Sequence, residues 1–132
     1  MLFRSILQVS APFHCALMEP AQNRLADDLA KLNFSKLQIP LVNNLNGVEI
    51  RSADEARQGL IGQVSAPVKW EQSMGRLIAL HTRMFVEAWP GRVLCGMLRQ
   101  IDRSLIALNV EDEKSLQATL GRLSAELTAE TT

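Results

Sequence analysis

The most constraining feature of this chain is the way the spacing of its apolar residues changes along the sequence. Short continuous apolar runs alternate with segments in which apolar residues recur every three or four positions. Leu2 to Val9 reads as a strand, ended by Ser10-Ala11-Pro12. Met18, Ala21, Leu25, Leu29 and Leu32 then fall at helical steps and predict an amphipathic helix from Met18 to Leu32. Pro20 fits that helix only in its first turn, where the missing N–H has no intrahelical partner to lose. Leu37 to Val42 suits a short buried strand, which Pro40 moves toward a sheet edge.

The alternation continues. Asn46-Gly47 marks a turn. Ser52 and Glu55 form a capping-box pair, and Ala56, Leu60 and Val64 continue the helix it opens. After Pro67, Trp70, Met74, Leu77 and Ile78 mark another helix face. Met84 to Ala88 reads as a strand closed by Pro90-Gly91, and Val93, Leu94, Met97, Leu98 and Ile101 as a helix. Leu105 to Leu108 reads as a last short strand before a helix carrying Leu116, Leu120, Leu123 and Leu127, with Thr128 to Thr132 expected to fray. Strands alternating with helices predict an α/β fold with a mainly parallel sheet. There is no internal repeat and no low-complexity segment.

Charge narrows the choice of partners. Lys plus Arg (14) balance Asp plus Glu (14), so the chain carries no electrostatic footprint for nucleic acid or an anionic membrane. Four Phe and two Trp are the only aromatic residues, too few for a base-stacking platform. No stretch reaches the roughly eighteen apolar residues of a membrane span. The apolar run at Met1 to Leu7 is too short for a signal peptide, so a cytoplasmic location is expected. Cys15 and Cys95 fit no C-x-x-C metal or redox spacing and read as free thiols in a reducing compartment, with no metal site expected.

Two histidines could carry chemistry. His14 follows Pro12-Phe13 at a strand end, where α/β proteins place ligands, although a loop histidine is more often a surface or hydrogen-bonded structural residue. His81 lies at a helix end, where an imidazolium can interact with exposed carbonyls. A histidine base needs something to activate, and the chain has no G-x-S-x-G nucleophile elbow. Ser10, Ser65, Ser73 and Ser104 lack the flanking glycines. Cys15 adjoins His14, but neighbouring side chains on an extended segment point apart. Phosphate-cradling glycine loops are also absent. The residues alone therefore describe an α/β polypeptide with one suggestive histidine and no nucleophile.

Four stretches carry a resemblance. Val9-Ser10-Ala11-Pro12-Phe13-His14-Cys15-Ala16-Leu17-Met18-Glu19-Pro20-Ala21 closely resembles the histidine motif of bacterial malonyl-CoA:acyl-carrier-protein transacylases. Pro40-Leu41-Val42-Asn43-Asn44 is similar to that family's P-V-V-N-N strand. Gln63-Val64-Ser65-Ala66-Pro67-Val68-Lys69-Trp70 is similar to its R-Q-L-x-x-P-V-x-W segment. Phe85-Val86-Glu87-Ala88-Trp89-Pro90-Gly91-Arg92-Val93-Leu94 is similar to F-V-E-V-G-P-G-K-V-L. The stretches fall in family order over about residues 5 to 110.

The resemblance implies a ping-pong acyl transfer in fatty-acid synthesis, with malonyl-CoA as substrate, acyl carrier protein as partner and no metal or organic cofactor. It implies that His14 is the catalytic base and that the backbone carbonyl of Gln63 orients its ring. It also implies that Phe13 lies beside the acyl α-carbon and crowds an α-methyl branch, favouring malonyl over methylmalonyl. The fold implied is the C-terminal portion of a hydrolase-like parallel-sheet acyltransferase domain. In it, residues 1–10 end the ferredoxin-like small subdomain, 11–110 belong to the large subdomain and 111–132 form a C-terminal helix and tail.

These 132 residues do not contain the family's serine elbow, its glutamine-rich oxyanion loop or its carboxylate-binding arginine. The polypeptide alone is therefore expected to be inactive and to expose apolar surface. The alternative is a non-catalytic module that binds acyl carrier protein or a complementary N-terminal half. Trp89 stands where the family has the first glycine of G-P-G, which raises the question of whether the turn there needs a positive φ.

Overall fold

The computed structural model describes residues 12–129. The strand expected at Leu2 to Val9, the subdomain boundary at residue 10 and the last three residues lie outside that range. The chain divides into two compact units, with the boundary between Arg76 and Leu77.

In the first unit, a 3-10 turn at Ala16–Met18 leads into α1 (Glu19–Ala30). Pro20 sits in the first turn of α1, as its missing N–H requires. The strand expected over Leu37 to Val42 is confined to β1 (Leu41–Val42), immediately after Pro40. It pairs antiparallel, not parallel, with β2 (Glu49–Ile50), Leu41 opposite Ile50 and Val42 opposite Glu49. The reason is the turn between them: Asn43 Oδ1 accepts from the Asn46 N–H at 3.2 Å and the Asn43 carbonyl from the Gly47 N–H at 3.1 Å. Gly47 takes φ +65°, and this tight reversal leaves no room for a crossover helix.

Ser52 caps α2 (Ala53–Gly62) with the capping box expected from sequence: Ser52 Oγ accepts from the Glu55 N–H at 3.1 Å, and Glu55 Oε2 from the Ser52 N–H at 3.0 Å. α2 packs on α1. At one end of the pair, Arg57 Nη2 donates to the Leu32 carbonyl at 3.1 Å while its guanidinium lies 4.9 Å from the Phe34 ring centroid. Leu29, Ile50 and Met74 are the buried apolar side chains among the described residues of this unit. α3 (Trp70–Ala79) begins here and ends in the second unit.

The second unit is a β-α-β-α run. β3 (Met84–Glu87) and β4 (Ile106–Asn109) pair in parallel from Met84 opposite Ile106 to Glu87 opposite Asn109. α4 (Val93–Ile101) connects them, and α5 (Glu113–Ala129) follows. The parallel pair with its crossover helix is the α/β arrangement the sequence predicts. Among the described residues of this unit, Cys95, Leu98 and Ala107 form the buried apolar set. Leu116 and Leu120 of α5 are exposed, and among the described side chains of that helix the buried one is Thr119, whose hydroxyl donates to the Asn109 carbonyl at 3.2 Å.

The turn in question at Trp89 is settled by the backbone. The positive φ of that loop, +100°, belongs to Gly91, whose N–H donates to Glu111 Oε2 at 2.7 Å. Trp89 is not a positive-φ residue, so the indole costs no backbone strain, and it stands 72% exposed. His81 follows α3 at φ +62°, and the backbone itself closes the helix end: His81 N–H to the Ile78 carbonyl and Thr82 N–H to that of Leu77.

One helical glycine is a simple stability lever. A methyl group at Gly121, inside α5, would have no neighbour within 4 Å. Gly121→Ala is expected to raise stability by about 0.5–1 kcal/mol through helix propensity alone, readable as a higher denaturation midpoint.

Candidate active-site half

His14, Phe13 and Gln63 all lie in the first unit. His14 occupies the loop before the 3-10 turn with φ +55°, a left-handed conformation in which histidine is enriched among non-glycine residues. Its ring is exposed. Nδ1 lies 3.0 Å from the backbone carbonyl oxygen of Gln63, forty-nine positions away.

A carbonyl can only accept, so the contact places the hydrogen of the neutral ring on Nδ1. Nε2 is then left with its lone pair, the state required of a base. Gln63 is the C-cap of α2, where carbonyls have no helical donors of their own. The helix thus ends by offering an acceptor to the imidazole.

Phe13 is 59% exposed and anchors no core among the described residues. The Cys15 Sγ donates to the Pro12 carbonyl at 3.1 Å. Beside Gln63, a cavity of about 200 Å³ is lined by Val42, Asn43, Asn44, Gly59 and Leu60.

Sequence reasoning missed two supports of this region. Asn43 is buried and orders the hairpin turn, and its carbonyl also accepts from Ser73 Oγ at 3.3 Å. A Cβ at Gly59 would come within 2.9 Å of Asn43 Nδ2, so glycine is what lets α2 lie against that turn. The Asn-Asn pair after a strand was the visible signal. The second, a hydrogen bond from Ser65 Oγ to Gln22 Oε1 at 2.5 Å, joins residues forty-three positions apart and left no trace in local pattern.

Among the described residues, no group of three or more His, Cys, Asp or Glu is placed to hold a metal ion, and no helix is long and apolar enough to cross a membrane. Burial, chiefly, pushes the Cys95 thiol above its ordinary range, with Glu87 adding to the effect.

No protein-family model matches the chain. Individual relatives do. The malonyl CoA-acyl carrier protein transacylase of Escherichia coli (strain K12) is 36% identical over 114 residues, which cover 86% of this chain and 37% of the relative. The crystal structure of the malonyl CoA-acyl carrier protein transacylase from Clostridium perfringens superimposes with a TM-score of 0.84 at 37% identity, covering 94% of this chain and 40% of that one. The chain belongs to the malonyl-CoA:acyl-carrier-protein transacylase family. It spans a little over a third of the length of the Escherichia coli relative and of the Bacillus subtilis (strain 168) relative it also matches. A further transacylase structure, a malonyl-transacylase in complex with a type II polyketide acyl-carrier protein, gives a TM-score of 0.81 at 37% identity over 88% of this chain and 38% of that one.

Proposed function

We propose that this chain supplies the histidine half of a malonyl-transfer site, with His14 as general base. The observation that carries the reading is the 3.0 Å contact between His14 Nδ1 and the Gln63 carbonyl, because in the neutral ring it leaves Nε2 with its lone pair, on an exposed residue. In the reaction, a serine hydroxyl attacks the malonyl thioester carbonyl while Nε2 takes the hydroxyl proton. Collapse of the tetrahedral intermediate expels the CoA thiolate, which receives that proton. Transfer to acyl carrier protein runs the same steps in reverse with the carrier's thiol. The thioester arrives activated, so the chemistry requires no metal or organic cofactor.

On this reading, residues 11–110 belong to the large catalytic subdomain and the work is done in the cytoplasm. The serine, the oxyanion donors and the carboxylate-binding arginine come from sequence these 132 residues do not contain. Phe13 sets acyl specificity. Phe13→Ala is expected to relax discrimination against methylmalonyl-CoA by about 10-fold, the scale typical of one apolar contact, checked by the ratio of kcat/KM for the two thioesters.

A second reading is favoured by a specific observation. Leu17, Ile39 and Val93 are each at least 70% exposed. Apolar surface of this kind fits a module that binds a complementary N-terminal half without itself catalysing. Co-expression with a family N-terminal segment bearing the serine elbow, followed by co-purification and a malonyl-transfer assay, separates the two. Turnover that depends on His14 supports the first reading, and a stable complex without turnover supports the second. Failure to associate sinks both.

A further inference from the structure

The hydrogen bond on which the reading of His14 depends is, taken alone, a weak constraint. It joins an exposed ring to the carbonyl of a turn at a helix end, and a typical hydrogen bond stabilises by only about 1 kcal/mol net. Helix ends fray, and residues 63–65 lie beyond the last helical residue of α2, Gly62. Something must hold that turn if its carbonyl is to select one tautomer.

The Ser65–Gln22 contact has the right place in the chain. Ser65 is two positions after Gln63, and Gln22 is eight positions after His14, in the opening turns of α1. The two hydrogen bonds, His14 to the Gln63 carbonyl and Ser65 Oγ to Gln22 Oε1, therefore close a ring. One side is the 3-10 turn running into α1, the other the turn of residues 63–65 pinned by the Val64 N–H to the Ile61 carbonyl at 3.3 Å. The Ser65–Gln22 bond is half-buried, while the His14 bond is exposed, so the ring is anchored at its drier corner. At the far end of the same helix pair, Arg57 ties α2 to the Leu32 carbonyl. Ser65 and Gln22 make the equivalent tie at the end that faces the imidazole. The R-Q-L-x-x-P pattern leaves the position of Ser65 open, so the tie is a property of this chain's own residues.

We propose that Ser65 and Gln22 are positioning residues for His14: their hydrogen bond holds the Gln63 carbonyl where it selects the Nδ1–H tautomer. The consequence for catalysis rests on the reading of His14 as general base, but the tautomer can be measured without turnover. The experiment uses the 132-residue polypeptide with 15N-labelled histidine, and long-range 1H–15N correlation at a pH where the ring is neutral. Wild type is expected to show His14 as Nδ1–H. Ser65→Ala and, independently, Gln22→Leu are each expected to lower the Nδ1–H to Nε2–H ratio about five-fold, the equivalent of one hydrogen bond lost from the tautomer balance. Helix content by circular dichroism should be unchanged, and Ser65→Thr, which keeps the hydroxyl, should restore the wild-type ratio. An unchanged ratio in a folded Ser65→Ala or Gln22→Leu protein overturns the positioning role alone. A wild-type ring found as Nε2–H overturns the Gln63 contact, and both readings with it.

Discussion

With the serine-bearing segment supplied, His14→Ala is expected to lower kcat/KM for malonyl transfer by about 10³-fold, within the range that general acid–base catalysis contributes. KM should change little, because the imidazole is proposed to act on a proton in flight and not to hold the malonyl group. The loss should fall on both half-reactions, since in the proposed mechanism one nitrogen serves the attack of the serine and the protonation of the leaving thiolate. The 132-residue polypeptide without that segment should show no turnover above buffer, with or without the substitution. Measurable transfer by the polypeptide alone, abolished by His14→Ala, would mean that a nucleophile within these residues had been overlooked.

Gln63 makes a useful contrast. The acceptor is its main-chain oxygen, so Gln63→Ala in the same assay should retain most activity although it alters a residue in contact with the base. A large loss there would say that the side chain, and not the carbonyl, does the orienting.

The site was legible in the sequence to a limited depth, and the limit is physical. His14 stands in a thirteen-residue motif, and no periodicity would have singled it out. Its left-handed φ and its ring hydrogen bond are properties of the folded loop, invisible in spacing. Helices were readable because their signals are local. Ser52 with Glu55, and Pro20 in a first turn, each act within three or four residues. The strand expected at Leu37 to Val42 was too long because an apolar run carries no information about its partner. Ladder length there is set by Pro40 on one side and by the Asn43 turn on the other. The leucines of α5 have helical spacing, yet Leu116 and Leu120 face solvent in this chain. Spacing announces an apolar face without saying whether a given polypeptide covers it. Ser65 and Gln22 were unreadable for the complementary reason: a contact forty-three positions apart between two common polar residues has no sequence signature.

Glu87 is the other residue whose replacement should have a large effect, here on stability. The helix that follows it, α4, has Arg92 at its N-cap with no side-chain cap. The first-turn donors that a capping side chain would satisfy are taken by Glu87 from the end of β3. Its Oε1 accepts from the Leu94 N–H at 3.1 Å and its Oε2 from the Cys95 N–H at 2.8 Å. Glu87 is 8% exposed, and its carboxylate sits at the positive end of the helix. The Cys95 N–H holds its pKa below the ordinary glutamate range, burial opposes this, and the Leu94 N–H adds to the lowering. A folded-state pKa lowered in this way contributes stability that is present above the unfolded glutamate value and is lost as the pH falls through and below it. Glu87→Gln offers one oxygen where two donors converge and turns an NH2 group toward the other. It should lower Tm at neutral pH by roughly 5 °C or more. Glu55, Asp102 and Asp112 are also held low by hydrogen bonds from neighbouring serines, so both proteins should weaken in acid. The gap between them isolates Glu87: melts followed by circular dichroism from neutral pH down to about 3 should show it narrowing as wild-type Glu87 takes up its proton. A gap that stays constant across that range would show that Glu87 acts through shape and not through charge.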